Sequence, residues 1–214
     1  MRNFRTEGII IKRRNFNEAD RLLTVMTRDY GKIQIKAAGV RKITSRRGAH
    51  IELLNYTALH LYRGKTFSIL TEAKVIDDFS PIKEHFGKVG FAYHLCELVD
   101  GLCPENQENR NVFFLLQRTL RDLSQSDDAM SLSHFATAEI EEHTLGTYGL
   151  GVSDAPQLAV HQSGILENFE INLLSELGYW DKQNAGFKRY DTRAMIEDIL
   201  ERKLKSRSIF AKLQ

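Results

Sequence analysis

The sequence predicts an α+β chain, a small N-terminal β-barrel followed by an α-helical domain, and two observations carry that prediction. Apolar residues recur with period two through the first 80 positions and with the helical period beyond them. The charge divides at the same place. Residues 1–80 hold sixteen Lys and Arg against eight Asp and Glu, a surplus of eight positive charges, while the 214-residue chain carries only +2, so residues 81–214 carry −6. A basic β-domain joined to an acidic helical one suits a polyanion on one side and a protein on the other.

Five strands are expected in the first part. Thr6 to Arg13 is β-rich, the turn Asn15-Phe16-Asn17 follows, and Ala19 to Thr27 forms the second strand. Asp29-Tyr30-Gly31-Lys32 is a tight hairpin signal. From Lys32 to Ala37 the alternation is clean, with Ile33, Ile35 and Ala37 on one face and Lys32, Gln34 and Lys36 on the other, so one face is buried and the other basic. The run Arg41 to Gly48 has no apolar period and four positive charges, which predicts an exposed, mobile basic arm. Ile51 to Tyr62 and Thr66 to Val75 close the set as a hairpin around Arg63-Gly64-Lys65. Five strands in so short a span fit a closed barrel of the OB type better than a sandwich, which needs about seven or more.

Ser80-Pro81 marks the boundary between a domain of residues 1–80 and a helical domain of residues 81–214. Phe86, Val89, Tyr93, Cys96, Val99 and Leu102 recur at helical spacing, as do Val112, Leu116, Leu120 and Leu123; both stripes read as bundle core. Leu166, Phe169, Leu173 and Leu177 make a third, closed by Gly178 as C-terminal cap. A last helix opens at Asp191 as N-cap and carries Met195, Ile196, Ile199 and Leu204. Residues 144–162 read as a long loop.

Composition excludes several classes. With 42% hydrophobic and 27% charged residues the chain is globular. No early apolar stretch resembles a signal peptide, and no run approaches the roughly 20 apolar residues of a membrane helix. Cys96 and Cys103 lie seven positions apart in a helical pattern, roughly 10 Å along the axis, beyond disulfide reach. Buried free thiols in a reducing cytoplasm are expected.

The sequence offers no catalytic design. It has no Gly-x-x-x-x-Gly-Lys phosphate loop, no His-Glu-x-x-His helix and no Gly-x-Ser-x-Gly elbow. Gly146, Gly149 and Gly151 follow a helical stretch instead of a strand and read as a connector. Glu139, Glu142 and His143 share one helix face, but no second ligand motif pairs with them, so they read as a solvated surface. The chain is expected to be no enzyme and to need no cofactor or metal.

What remains is the basic barrel. Lys and Arg bind phosphates while unpaired bases stack on aromatic rings, so a groove for nucleic acid interleaves the two. Here Lys12, Arg13 and Arg14 run into Phe16, Arg28 and Lys32 flank Tyr30, Lys36 follows on the same strand, and Arg41, Lys42, Arg46 and Arg47 supply the loop. Phe16 and Tyr30 each fit two roles, capping a barrel end or stacking a base. The cluster at 41–47 is the sharper signal, because four like charges in seven residues repel one another unless an anion screens them.

The same residues resemble a known family. Arg5-Thr6-Glu7-Gly8-Ile9-Ile10-Ile11-Lys12, Asn17-Glu18-Ala19-Asp20-Arg21-Leu22-Leu23-Thr24, Thr27-Arg28-Asp29-Tyr30-Gly31-Lys32 and Ala37-Ala38-Gly39-Val40-Arg41 are similar to the amino-terminal domain of the bacterial RecO family of DNA repair proteins. The likeness continues through Leu61-Tyr62-Arg63-Gly64, Glu97-Leu98-Val99-Asp100, the stretch Phe169 to Tyr179 and Leu204-Lys205-Ser206-Arg207, whereas residues 127–162 show little of it. The resemblance implies an OB-fold and a helical domain. It implies a recombination mediator of the RecF pathway, cytoplasmic and nucleoid-associated, that binds single- and double-stranded DNA and anneals complementary strands. With its partner RecR such a protein helps the recombinase RecA onto DNA covered by single-strand-binding protein. Many members insert a four-cysteine zinc module after the Leu-Gly-Tyr helix; only a few residues separate Trp180 from Phe187 here, so that module is expected to be absent. The acidic, apolar tail of single-strand-binding protein would suit a basic and apolar edge, for which Arg118 and Arg121 beside Leu115 and Leu116 are candidates. Two alternatives stand beside this reading: an RNA-binding OB-fold, and an assembly adaptor whose basic face docks on an acidic protein.

Overall fold

A computed structural model describes residues 3–126, 164–180 and 192–206. The expected architecture is present. Strands β1 (Asn3–Phe16), β2 (Asp20–Thr27), β3 (Gly31–Ala37), β4 (Tyr56–Arg63) and β5 (Ser68–Asp77) close into a barrel in the order β1-β2-β3-β5-β4. β1 is long enough to pair with β4 through its first half and with β2 through its second, around a bulge between Ile10 and Lys12. The barrel shuts by a short parallel seam, Ile35 opposite Ser68 and Lys36 opposite Ile69. This is an OB-type barrel, as the strand count predicts.

Side-chain alternation explains the interior. Ile10, Leu23, Val25, Ile33, Ile35, Leu59, Leu61 and Leu70 point inward and are almost wholly excluded from solvent, each such burial stabilising by about 1.5–3 kcal/mol. The fourth strand starts later than expected. Ala49–Ile51 forms a 3₁₀ turn, with Ile51 packed into the barrel interior. Leu54, at φ +70°, instead joins the cluster that contains the helices. The segment is held to β1 by backbone bonds from Leu54 N–H to Ile10 O and from Ile10 N–H to Asn55 O.

The helices are α1 (Ser80–Lys83), α2 (Phe86–Leu102), α3 (Arg110–Gln125), α4 (Gly164–Glu176) and α5 (Thr192–Leu200). Asn109 caps α3 by accepting the Val112 N–H at 3.1 Å. Gly178, at φ +80°, ends α4 as expected, with its N–H bonded to Ser175 O and that of Tyr179 to Leu174 O. The stripe on α3 is buried as expected. On α2 the expected stripe needs correction: Phe86 is 71% and Tyr93 39% exposed, whereas Phe91, Ala92, Leu95 and Leu98 are buried. The helix is apolar on most sides, so its residues do not by themselves reveal which face meets the core. Leu204 is buried but lies past the end of α5. Asp191, the 144–162 segment, the three glycines at 146, 149 and 151, and Glu139, Glu142 and His143 fall outside the described residues.

Barrel and helices share one hydrophobic cluster. Ile9, Ile11, Met26, Leu54 and Tyr56 from the barrel's outer face meet Phe91, Leu95, Val99, Phe113 and Leu116 of α2 and α3. A buried polar network sits beside it. His94 Nε2 lies 2.9 Å from Glu170 Oε1 and His94 Nδ1 2.8 Å from Ser206 Oγ, while the Thr192 hydroxyl donates to Glu170 Oε2. Cys96 and Cys103 are buried free thiols; burial raises their pKa, to about 12 and about 11. No described helix is long and apolar enough to cross a membrane. Among the described residues no group of three or more His, Cys, Asp or Glu could hold a metal ion.

Candidate nucleic-acid interface

Strand register divides the basic residues of the barrel into a half paired with acidic groups, where Lys32 is buried and Lys12 stays exposed, and an open half. Residues directly opposite one another on neighbouring strands point to the same face. Moving along the outer face of β1, β2 and β3, the rows are Met26 with Lys32, then Lys12 with Thr24 and Gln34, then Arg14 with Leu22 and Lys36, then Phe16 with Asp20.

The first two rows face the helical domain. Lys32 is only 6% exposed, its ammonium donates to the Asp100 carbonyl, and Asp100 Oδ1 lies 3.9 Å away. Lys12 Nζ meets Asp100 Oδ2 at 2.6 Å, and Gln34 Nε2 donates to Glu105 Oε1 at 2.5 Å. The backbone reinforces the junction, since Asn106 N–H bonds Lys32 O at 2.8 Å. Gly31, at φ +65°, sits so close to the same loop that a Cβ there would lie 1.7 Å from Gln107 O. The expectation that Lys32 lies on an open basic face is therefore corrected: the last turn of α2 and the acidic α2–α3 connection cover it. Arg28 is likewise engaged, with Glu7 at 3.0 Å and Asp29 at 3.2 Å, and Arg110 of α3 reaches Asp29 at 3.4 Å. Tyr56, whose hydroxyl donates to Glu7 at 2.5 Å, is pushed up to about 12 by burial and by that carboxylate. Tyr30 packs against the barrel interior and edge-on to Phe4 at 4.8 Å, which is the capping role.

The last two rows are open. Arg14 is exposed and makes no ion pair with a described residue. Lys36 lies 3.1 Å from Asp20 and 5.4 Å from the centroid of the Phe16 ring. Asp20 is held below the usual carboxylate range by the Gly39 N–H and by Lys36. Phe16, at the tip of the β1–β2 hairpin, packs edge-to-face with Phe67 from the β4–β5 hairpin, 6.2 Å between centroids. Arg13 stands apart from this group, paired with Glu52, which also takes Arg21 at 2.9 Å.

The 41–47 segment joins the open end, but not as a free arm. It is a hydrogen-bonded succession of turns, with Arg41 N–H on Ala19 O and Ser45 N–H on Lys42 O. Arg41 Nη1 donates to Glu18 O at 2.9 Å, beside the β1–β2 turn. Arg47 is a structural stitch: its guanidinium donates to Leu70 O and Ala38 O, both at 2.9 Å, bridging β5 to the end of β3 where the seam runs out of strand pairing. Lys42 and Arg46 are exposed without an ion pair to a described residue, and the intervening Ile43 is fully exposed. Of the twelve barrel residues expected at a nucleic-acid surface, Arg14, Phe16, Lys36, Arg41, Lys42 and Arg46 converge on one end. Lys65 and Phe67 of the β4–β5 turn belong with them, and pattern reading missed both because they lie in a turn whose proximity to Phe16 only the closed barrel creates.

On α3, Arg118 is 84% exposed, 3.9 Å from Asp122, and Arg121 is also exposed. Leu116 is fully buried and cannot form the apolar edge expected beside them; Phe114, 49% exposed and one turn before Arg118, takes that place, with Leu115 half-buried.

Comparison with known proteins agrees with this architecture. Residues 1–79 match the family described as Recombination protein O N terminal, and residues 84–152 the one described as Recombination protein O C terminal. The second match runs through residue 152, which corrects the expectation of little likeness across that part of the 127–162 stretch. A DNA repair protein RecO from Roseiflexus sp. (strain RS-1) is 42% identical over 123 residues, 58% of this chain and 43% of that protein. One from Moorella thermoacetica is 32% identical over 155 residues, 72% and 55% of the two chains. The chain thus spans about half the length of these relatives. It covers 70% of a DNA repair protein RecO from Dehalococcoides mccartyi, 34% identical over 191 residues and 89% of this chain. On these matches and this fold, the chain belongs to the RecO family of DNA repair proteins.

Proposed function

We propose that this protein is a recombination mediator of the RecF pathway that binds DNA at the open end of its barrel and anneals complementary strands. The observation that carries the reading is the split of the basic surface. Asp100 of the helical domain pairs with Lys12 and Lys32, and Arg28 is paired within the barrel to Glu7 and Asp29, while Arg14, Arg41, Lys42 and Arg46 are left exposed on one end beside aromatic rings. Two strands repel each other, and a surface that neutralises both lets complementary bases sample pairing, after which stacking in the duplex drives the reaction. That mechanism forms and breaks no covalent bond and needs neither nucleotide nor metal.

In this proposal the protein works in the cytoplasm on the nucleoid with RecR, and helps RecA onto strands covered by single-strand-binding protein. The acidic, apolar tail of that protein docks on the Phe114, Arg118 and Arg121 face of α3, where a ring and two guanidinium groups lie on successive turns. The test is annealing of two complementary fluorescent oligonucleotides, without nucleotide or metal, at low and moderate salt. Acceleration that fades with salt, and with Arg41→Glu, Lys42→Glu and Arg46→Glu combined, is the expected result. No acceleration by a folded sample at either salt would overturn it in favour of the adaptor.

A further inference from the structure

The Phe16 and Phe67 rings pose a physical question. Two large apolar side chains sit at hairpin tips, half-buried, and pack against neither of the two hydrophobic clusters among the described residues, whereas Phe4 and Tyr30 do pack against the barrel interior. They contact each other edge-to-face, and Lys36 lies over the Phe16 ring. The register puts Arg14 and Lys36 in the row next to Phe16, and Lys36 opposite Ile69, which is itself 36% exposed two residues after Phe67. Arg41 is fastened to the turn that follows Phe16, and Lys65 stands two residues before Phe67. Asp20, the carboxylate opposite Phe16 in the strand register, is already occupied by the Gly39 N–H and Lys36, while Glu18 in the adjoining turn is exposed. An aromatic floor ringed by cations, with the carboxylate of its own row neutralised, fits a flat apolar ring attached to a negative backbone.

We propose that Phe16 and Phe67 form a stacking platform for an unpaired base, and so make this end of the barrel selective for single strands over duplex. The inference rests on the nucleic-acid reading of the same surface and deepens it. Phosphate contacts alone bind single and double strands alike, whereas a platform of rings engages only bases that are free to leave a stack. It also gives the two hairpins a joint task that neither has alone, since β1–β2 and β4–β5 meet only because the barrel closes.

The test uses the full chain and three labelled probes in fluorescence anisotropy at fixed salt: an oligothymidine, an abasic strand of equal length with the same phosphates, and a duplex. Phe67→Leu and Phe16→Leu keep apolar volume at the tips and remove the ring, and unchanged circular dichroism and melting temperature establish that each variant folds. The expected result is tighter binding of oligothymidine than of the abasic strand by the unaltered protein. Each variant should weaken oligothymidine about 5- to 150-fold and leave the abasic strand and the duplex where they were. Equal binding of oligothymidine and abasic strand by the unaltered protein overturns the platform but leaves the phosphate-binding reading intact. A variant that weakens all three probes together, or none, overturns the platform as well. Failure of the unaltered protein to bind any probe overturns both.

Discussion

Replacing Lys42 and Arg46 by glutamine should change how DNA binding depends on salt, by an amount the structure sets. Five cations stand exposed at the open end without an ion pair to a described residue: Arg14, Arg41, Lys42, Arg46 and Lys65. If each neutralises one phosphate of a single strand, the logarithm of affinity falls against the logarithm of salt with a slope of about −3.5, roughly −0.7 per contact. Removing two leaves three and a slope of about −2.1. Raising salt from 50 to 200 mM should then weaken the unaltered protein about 130-fold and the double variant only about 18-fold. At 100 mM the variant should bind about 25-fold less tightly. Arg28→Gln is the control, because Arg28 is spent on Glu7 and Asp29, and its slope should match that of the unaltered protein. The assay is anisotropy of a labelled oligothymidine titrated at four salt concentrations. An unchanged slope in the double variant, or a drop in Arg28→Gln as large as in the double variant, would refute the division of the surface into paired and open halves.

Further expectations concern the helical domain. Glu170→Ala removes the acceptor of the Thr192 hydroxyl and the partner of His94 in a site that is almost fully buried; urea unfolding should show a loss of about 3–5 kcal/mol, and a loss below about 1 kcal/mol would contradict the network's role. Burial works to raise the pKa of Glu97, but the N–H groups of Lys205 and Ser206 and the Arg202 guanidinium outweigh it, so the net shift is downward. A carboxyl depressed on folding lends stability that is complete above its unfolded value, near 4.5, and disappears as pH falls through the lower folded value. Thermal melts should therefore show Glu97→Gln less stable at pH 7 and converging with the unaltered protein on acidification below about pH 4.5; parallel curves would count against it. Cys96 and Cys103, their thiols pushed up by burial to about 12 and about 11, should resist a disulfide reagent in the native protein and react only in denaturant.

The barrel was legible because its strands alternate cleanly and its turns carry strong signals such as Asp29-Tyr30-Gly31. The helices were legible as helices, yet α2 was misphased, because a helix packed against both the barrel and its neighbours is apolar almost all round and period alone cannot rank its faces. The nucleic-acid surface was half legible. Composition located the cations, but whether a given one is free depends on partners distant in sequence: Lys32 is covered through Asp100, sixty-eight residues away, and Arg47 is drawn to the carbonyls of Ala38 and Leu70. Local pattern contains no trace of either. Phe67 was missed for the same reason, since its neighbour Phe16 lies on a different hairpin.

The Arg47 stitch bears on the thermodynamic character of binding. With Gly39 fixed by Asp20 and residue 47 fixed on the barrel seam, the stretch that presents Lys42 and Arg46 is a short span clamped at both ends. Such a span has little backbone freedom to surrender when a strand arrives. Calorimetry should accordingly register association at this end without the large negative heat-capacity change of a segment that folds upon its ligand. Cutting the clamp with Arg47→Ala would convert the span into a tether, trading a preset spacing of charges for reach.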